Sequence, residues 1–150
     1  MAVLTPVNLV FSSKVLKSCR PALEELMFFN PAQYRLREGI VNSLEKFGHP
    51  RIEETGDGLS VRVGHCEAQT LFAFDQHRRN QDPIGVVVFL RTSPEEVAIM
   101  HIAVNPDYTL QGRDTGLGIT LVEKVREICS RIVGIKRIIF YYRQEVVIRL

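Results

Sequence analysis

Gln111-Gly112-Arg113-Asp114-Thr115-Gly116-Leu117-Gly118 separates an apolar run, Val97 to Val104, from a long amphipathic run, Leu117 to Val133. An apolar run, a glycine-rich turn and a 3.6-residue stripe predict strand, turn and helix in that order. A junction of this kind can hold an anion. Gly116 and Gly118 permit positive φ and close backbone approach, and the first helical turn offers N–H groups and the positive end of the helix dipole. Phosphate is the expected anion. The P-loop needs a Gly-Lys-Ser/Thr ending that is absent here, and the dinucleotide fingerprint needs a third glycine where Leu121 stands, so both are excluded.

On either side of this stretch the chain reads as alternating elements. Met1 to Phe11 predicts a first strand, with Pro6 favouring an edge or an irregular start. Ser12 or Ser13 starts a helix carrying Val15, Leu16, Cys19, Leu23, Leu26 and Met27, which either kinks at Pro21 or begins near Ser18 with Pro21 in its first turn. A second helix runs from Asn30 as N-cap, through Pro31 and the stripe Tyr34, Ile40, Val41, Leu44 and Phe47, to Gly48. Gly56-Asp57-Gly58 is a turn before the alternating strand Leu59 to Val63, and Gln69 to Asp75 is another strand. Val86-Val87-Val88-Phe89, inside the run from Pro83-Ile84 to Leu90, is apolar on consecutive positions and predicts a strand covered on both faces. Val97 to Val104 is the next covered strand, interrupted by His101. The helix after the glycines buries Leu117, Leu121, Val125, Ile128 and Ile132, keeps Glu123, Lys124, Glu127 and Arg131 in water, and ends at Gly134. Arg137 to Tyr142 returns as a strand parallel to Val97 to Val104. The expected fold is α/β (α+β): one domain over residues 1–150, with a mixed, mostly antiparallel sheet of about six strands and helices on both faces.

Composition limits what this domain can do. A chain of 150 residues buries roughly 70% of its unfolded surface. With 45% hydrophobic and 24% charged residues it has a globular balance, and a net charge of +2 does not by itself point to nucleic acid or membrane. The His77-Arg78-Arg79 cluster fits a solvated hairpin tip. Cys19, Cys66 and Cys129 are widely spaced, no metal-ligand pattern is present, and no leader or membrane span is apparent. A soluble, reduced, cytoplasmic protein is expected.

Arg113-x-x-Gly116-x-Gly118 resembles the Arg/Gln-x-x-Gly-x-Gly/Ala pyrophosphate loop of the Gcn5-related N-acetyltransferases (GNAT). The preceding Val97 to Tyr108 (VAIMHIAVNPDY) is similar to that family's fourth strand and its exit. The resemblance extends from about Ile84 to Tyr142. It implies acetyl-coenzyme A as co-substrate, with residues Gln111, Gly112, Arg113, Asp114, Thr115, Gly116, Leu117 and Gly118 around the pyrophosphate. The main chain of Ile102, Ala103 and Val104 would then bind the pantetheine amides in a gap where the two parallel strands splay at a bulge. Acetyl transfer to an amine needs a base, a polarised thioester and a proton for the thiolate. The candidates are Glu96, beside Glu95 at the start of the central strand; His101, which is otherwise a packed core residue; and Tyr141 or Tyr142, which point to opposite faces of the last strand. Family members usually continue past that strand with a helix and two further strands walling the acceptor site, whereas only Gln144 to Leu150 follows here. A homodimer supplying the wall from Val146 and Ile148 is therefore expected. The rival expectations are a non-catalytic acyl-coenzyme A binding or regulatory module, and a protein-interaction domain using the Leu59 to Leu90 sheet or the final strand.

Overall fold

The computed structural model describes residues 9–28, 48–56, 58–77, 82–110, 113–114, 116–140 and 146–150. The two most apolar stretches lie side by side at the centre of its sheet. In chain order the strands are β1 (Leu9–Ser12), β2 (Pro50–Thr55), β3 (Gly58–Val63), β4 (Cys66–Asp75), β5 (Gly85–Ser93), β6 (Glu96–Val104), β7 (Thr109–Leu110), β8 (Arg113–Asp114), β9 (Arg137–Phe140) and β10 (Val146–Arg149). The helices are α1 (Arg20–Phe28), preceded by a 3-10 turn at Lys17–Cys19, and α2 (Leu117–Ser130). Eight strands form the main sheet in the order β10-β9-β6-β5-β4-β3-β2, with β1 pairing β4. Among the described residues only β6 and β9 run parallel, and the other pairings are antiparallel. Beyond the expected six strands, the tail after Gln144, strand-forming in sequence, supplies β10, and β2 is added, whose mostly polar Pro-Arg-Ile-Glu-Glu-Thr has a single buried residue, Ile52.

A helix covers each face. Leu23, Leu26 and Met27 of α1 pack with Val86 and Val88 of β5 and Met100 and Ala103 of β6. Leu121, Val125 and Cys129 of α2 pack with Val87, Ile99, Ile102 and Ile138. Consecutive valines of β5 thus serve opposite cores, as a strand buried on both faces requires. Pro21 sits in the first turn of α1, where its missing N–H leaves no hydrogen bond unmade. Ile132 corrects the expected α2 stripe. The helix closes at Ser130, Arg131 and Ile132 donate back three residues to Ile128 O and Cys129 O, and Ile132 ends 39% exposed. The i+4 row through Leu117, Leu121, Val125 and Cys129 carries the packing instead, while Ile128 is half-buried. Lys124, expected in water, lies half-buried with its ammonium 5.3 Å from the centre of the Phe11 ring.

The expected helix from Asn30 to Gly48 falls on residues 29–47, outside the described residues, although Gly48 itself has φ 95°. Residues 1–8 of the expected first strand are likewise outside. Among the described residues no helix is long and apolar enough to cross a membrane, and no group of three or more His, Cys, Asp or Glu could hold a metal ion.

Candidate functional site

The chain leaves β6 under tight main-chain control. Ile84 N–H donates to Ala73 O and Asn105 N–H donates to Ile84 O, both at 2.8 Å, so the ends of β4 and β6 are tied through residue 84. A 3-10 turn over Pro106–Tyr108 follows, and β7 then pairs with β8 as Thr109↔Asp114 and Leu110↔Arg113. What read as a plain loop therefore contains a small antiparallel hairpin that is separate from the main sheet. Gln111, Gly112 and Thr115 lie outside the described residues.

Gly116 is the N-cap of α2 at φ 101°, in the left-handed region that favours glycine. Its carbonyl accepts from the Thr120 N–H and the Thr120 hydroxyl, each at 2.8 Å. A serine or aspartate at this position would satisfy an N–H of the first turn with its own side chain; here no side-chain cap is made. A Cβ placed on Gly116 meets nothing within 4 Å among the described residues. The start of α2 thus combines the positive end of the helix dipole with a left-handed glycine, an arrangement that suits a bound anion. Leu117 and Gly118 are buried beneath it.

Within β6 the pairing with β5 slips one residue: Val88 faces His101 and Phe89 faces Ile99, leaving Met100 as the bulged residue. The slip changes which side chains share a face, because Ile99 and Ile102, three apart, both enter the α2 core. The described parallel pairing with β9 runs from Glu96↔Arg137 to Ile99↔Phe140, so it reaches the bulge and no further. Beyond it Ile102, Ala103 and Val104 remain paired to Val87, Val86 and Gly85 of β5. Tyr141 and Tyr142 follow β9 directly and lie outside the described residues.

Glu96 sits at the other end of β6, about 25 Å from Val104 at roughly 3.3 Å per residue. Arg137 Nε donates to Glu96 Oε1 at 3.0 Å and Thr92 Oγ1 donates to Glu96 Oε2 at 2.7 Å. Glu95 pairs with Lys136 at 3.2 Å and Arg137 at 3.6 Å, while its carbonyl accepts from both of their N–H groups. These carboxylates fasten the start of β9 to the β5–β6 turn.

His101 is 5% exposed and faces α1, where its ring is hydrogen-bonded to the backbone of Met27. Met27 is the penultimate residue of α1 as described. Burial lowers the imidazole pKa to about 4, against a smaller upward pull from the Met27 hydrogen bond. The ring is therefore neutral at pH 7. The structure thus brings Ile102 to Val104 and the start of α2 together at one end of β6, both beside Gly85, with His101 in the core behind the bulge and Glu96 at the opposite end.

No protein-family model matches the chain, and no curated protein matches it. Solved structures similar to it include acetyltransferases. An IAA acetyltransferase from Bacillus cereus is 20% identical over 89% of this chain, with a TM-score of 0.46. A protein from Desulfovibrio desulfuricans described as a GNAT-family acetyltransferase is 19% identical over 89% of this chain and 72% of its own, TM-score 0.47. A GNAT-family acetyltransferase from Staphylococcus aureus is 13% identical over 90% and 73%, TM-score 0.43. The chain spans 65% of the length of the Bacillus cereus protein.

Proposed function

We propose that this chain binds acetyl-coenzyme A and transfers its acetyl group to an amine. The observation that carries the reading is the left-handed Gly116 at the start of α2, φ 101°, set within Arg113-x-x-Gly116-x-Gly118 after β6. The residues fit the co-substrate: the stretch from Gln111 to Gly118 would hold the pyrophosphate on backbone N–H groups and the helix dipole, with Arg113 adding charge. Ile102 to Val104 would hold the pantetheine amides on the main chain beyond the bulge. In transfer, the neutral amine nitrogen adds to the thioester carbonyl, the C–S bond breaks, the thiolate takes a proton from its donor, and the proton lost by the nitrogen passes to water, which returns one to the donor. In this reading Tyr141 or Tyr142 supplies that proton, while Glu96 and His101 serve the fold. A cytoplasmic setting agrees with three cysteines that form no disulfide.

A ligand bound only by the native state adds about 2.7 kcal/mol at a hundredfold excess over Kd. For a chain of this size that raises Tm by roughly 5–10 °C. Acetyl-coenzyme A is expected to give such a shift in a thermal melt, and an unmoved Tm at millimolar ligand would refute the reading. Thiol release with a panel of amines then tests transfer: binding without release would favour the non-catalytic acyl-coenzyme A module.

The same proposal includes a homodimer through β10. Among the described residues β10 has one strand neighbour, β9, and it is the outer strand of the sheet on that side. Val147 and Leu150 are 42% and 41% exposed, whereas Ile148 packs against its own chain's core. The pairing would therefore rest on the strand's main chain and Val147. Glu145-Val146-Val147-Ile148-Arg149 is its own antiparallel complement about Val147, matching Val146 with Ile148 and Glu145 with Arg149 of a second copy. Light scattering at micromolar concentration should give a dimer mass, reduced to a monomer by Val147→Lys; a monomeric wild-type chain rules the pairing out.

A further inference from the structure

We propose that Tyr108 and Asp75 form a clasp that positions the β7–β8 hairpin and the start of α2 for coenzyme A, an inference that rests on the reading above. The Tyr108 hydroxyl donates to Asp75 Oδ2 at 2.6 Å, bridging 33 positions of sequence. That distance is typical of a hydroxyl on an ionised carboxylate, roughly twice as strong as a neutral pair. Asp75 is the last residue of β4, and its other oxygen accepts the His77 N–H at 2.9 Å. Tyr108 is held at its own backbone too, donating N–H to Asn105 O at 2.9 Å, and its ring packs against the core beneath α2.

Its position in the chain gives this contact its effect. Tyr108 is the residue immediately before β7, and among the described residues β7 and β8 pair with each other but with no strand of the main sheet. The described ties that can place the hairpin lie at its two ends. At the far end Gly116 is bound to Thr120 of α2; at the near end the clasp ties Tyr108 to the end of β4. A hairpin freed at one end samples more arrangements, and a ligand that needs one of them binds more weakly by the fraction lost. Tyr108 and Asp75 act as positioning residues, since neither hydroxyl nor carboxylate needs to touch the co-substrate.

The test uses Tyr108→Phe, which keeps the ring packing, Asp75→Asn, and the double variant. Calorimetric titration with acetyl-coenzyme A is paired with amide hydrogen exchange. Each single variant should raise Kd about tenfold, the scale of one charge-assisted hydrogen bond, and the double variant should be no weaker than the worse single. Exchange at Thr109, Leu110, Arg113 and Asp114 should quicken, with Val87 of β5 and Ile99 of β6 unchanged. A Kd within twofold of wild type, or exchange quickening equally in β5 and β6, overturns the clasp, the latter showing that the bond merely stabilises the whole fold. A wild-type chain that ignores acetyl-coenzyme A overturns the parent reading and the clasp's part in binding, and unchanged exchange at the hairpin would then remove its ordering role as well.

Discussion

Gly116→Val is expected to abolish the response to acetyl-coenzyme A while leaving a folded protein. Two effects separate cleanly at this residue. The φ of 101° is one that a β-branched residue adopts only under strain, of about 1–3 kcal/mol, so the ligand-free variant should melt roughly 2–10 °C lower. Added side-chain atoms meet no described protein atom within 4 Å of the new Cβ, so they extend into the space assigned to the pyrophosphate. Affinity should fall at least about a hundredfold, erasing the roughly 2.7 kcal/mol of ligand stabilisation. Thermal melts of both proteins with and without acetyl-coenzyme A measure the two effects independently. A variant that melts lower yet keeps the full ligand shift would place the anion elsewhere.

The elements legible in the sequence were those whose burial leaves a periodic trace. Val86 to Phe89, and Val97 to Val104 apart from His101, are apolar on consecutive positions because a helix covers each face of the sheet there, and they form its centre. Elements buried on little or nothing leave no such trace. β2 passed unseen because an edge strand needs one inward residue, Ile52, and tolerates Pro50 and three charges elsewhere. β7 and β8 are two residues each, shorter than any pattern can register. The end of α2 was misjudged for a related reason: Ile132 continues the stripe on paper, but the chain had already tightened at Arg131.

The candidate site divides along the same line. Glycines at a strand-to-helix junction announce themselves locally, since positive φ and helix initiation are properties of a few adjacent residues, and Gly116 adopts the left-handed conformation such a junction uses. Roles fixed by distant partners do not. Glu96 binds Arg137, 41 positions away, and Tyr108 binds Asp75, 33 positions away. The bulge at Met100 is equally silent, because an inserted residue in a strand apolar on nearly every position changes facing without changing composition. It is also what turns His101 toward α1 beside Met100.

That placement makes His101 the source of an acid-sensitive step in stability. Unfolding would return the ring to water and to its ordinary pKa of 6.5, whereas burial in the fold holds it at about 4. Because the unfolded chain binds the proton more readily, stability is complete above pH 6.5 and is lost progressively as pH falls from 6.5 towards 4. The full loss is on the order of 3 kcal/mol, a large part of a typical domain's 5–15 kcal/mol. His49, His65 and His77 are exposed, so they do not share this burial. His101→Gln keeps an N–H donor for the Met27 carbonyl but has nothing to titrate. Urea unfolding at pH 7.5 and pH 5 should show wild type losing about 2 kcal/mol through this residue, and the variant losing that much less over the same interval. Parallel losses in the two proteins would mean that the ring takes up its proton alike in the folded and unfolded chain, as it would if α1 opened to hydrate it, and burial of His101 would not set the acid limit of this fold.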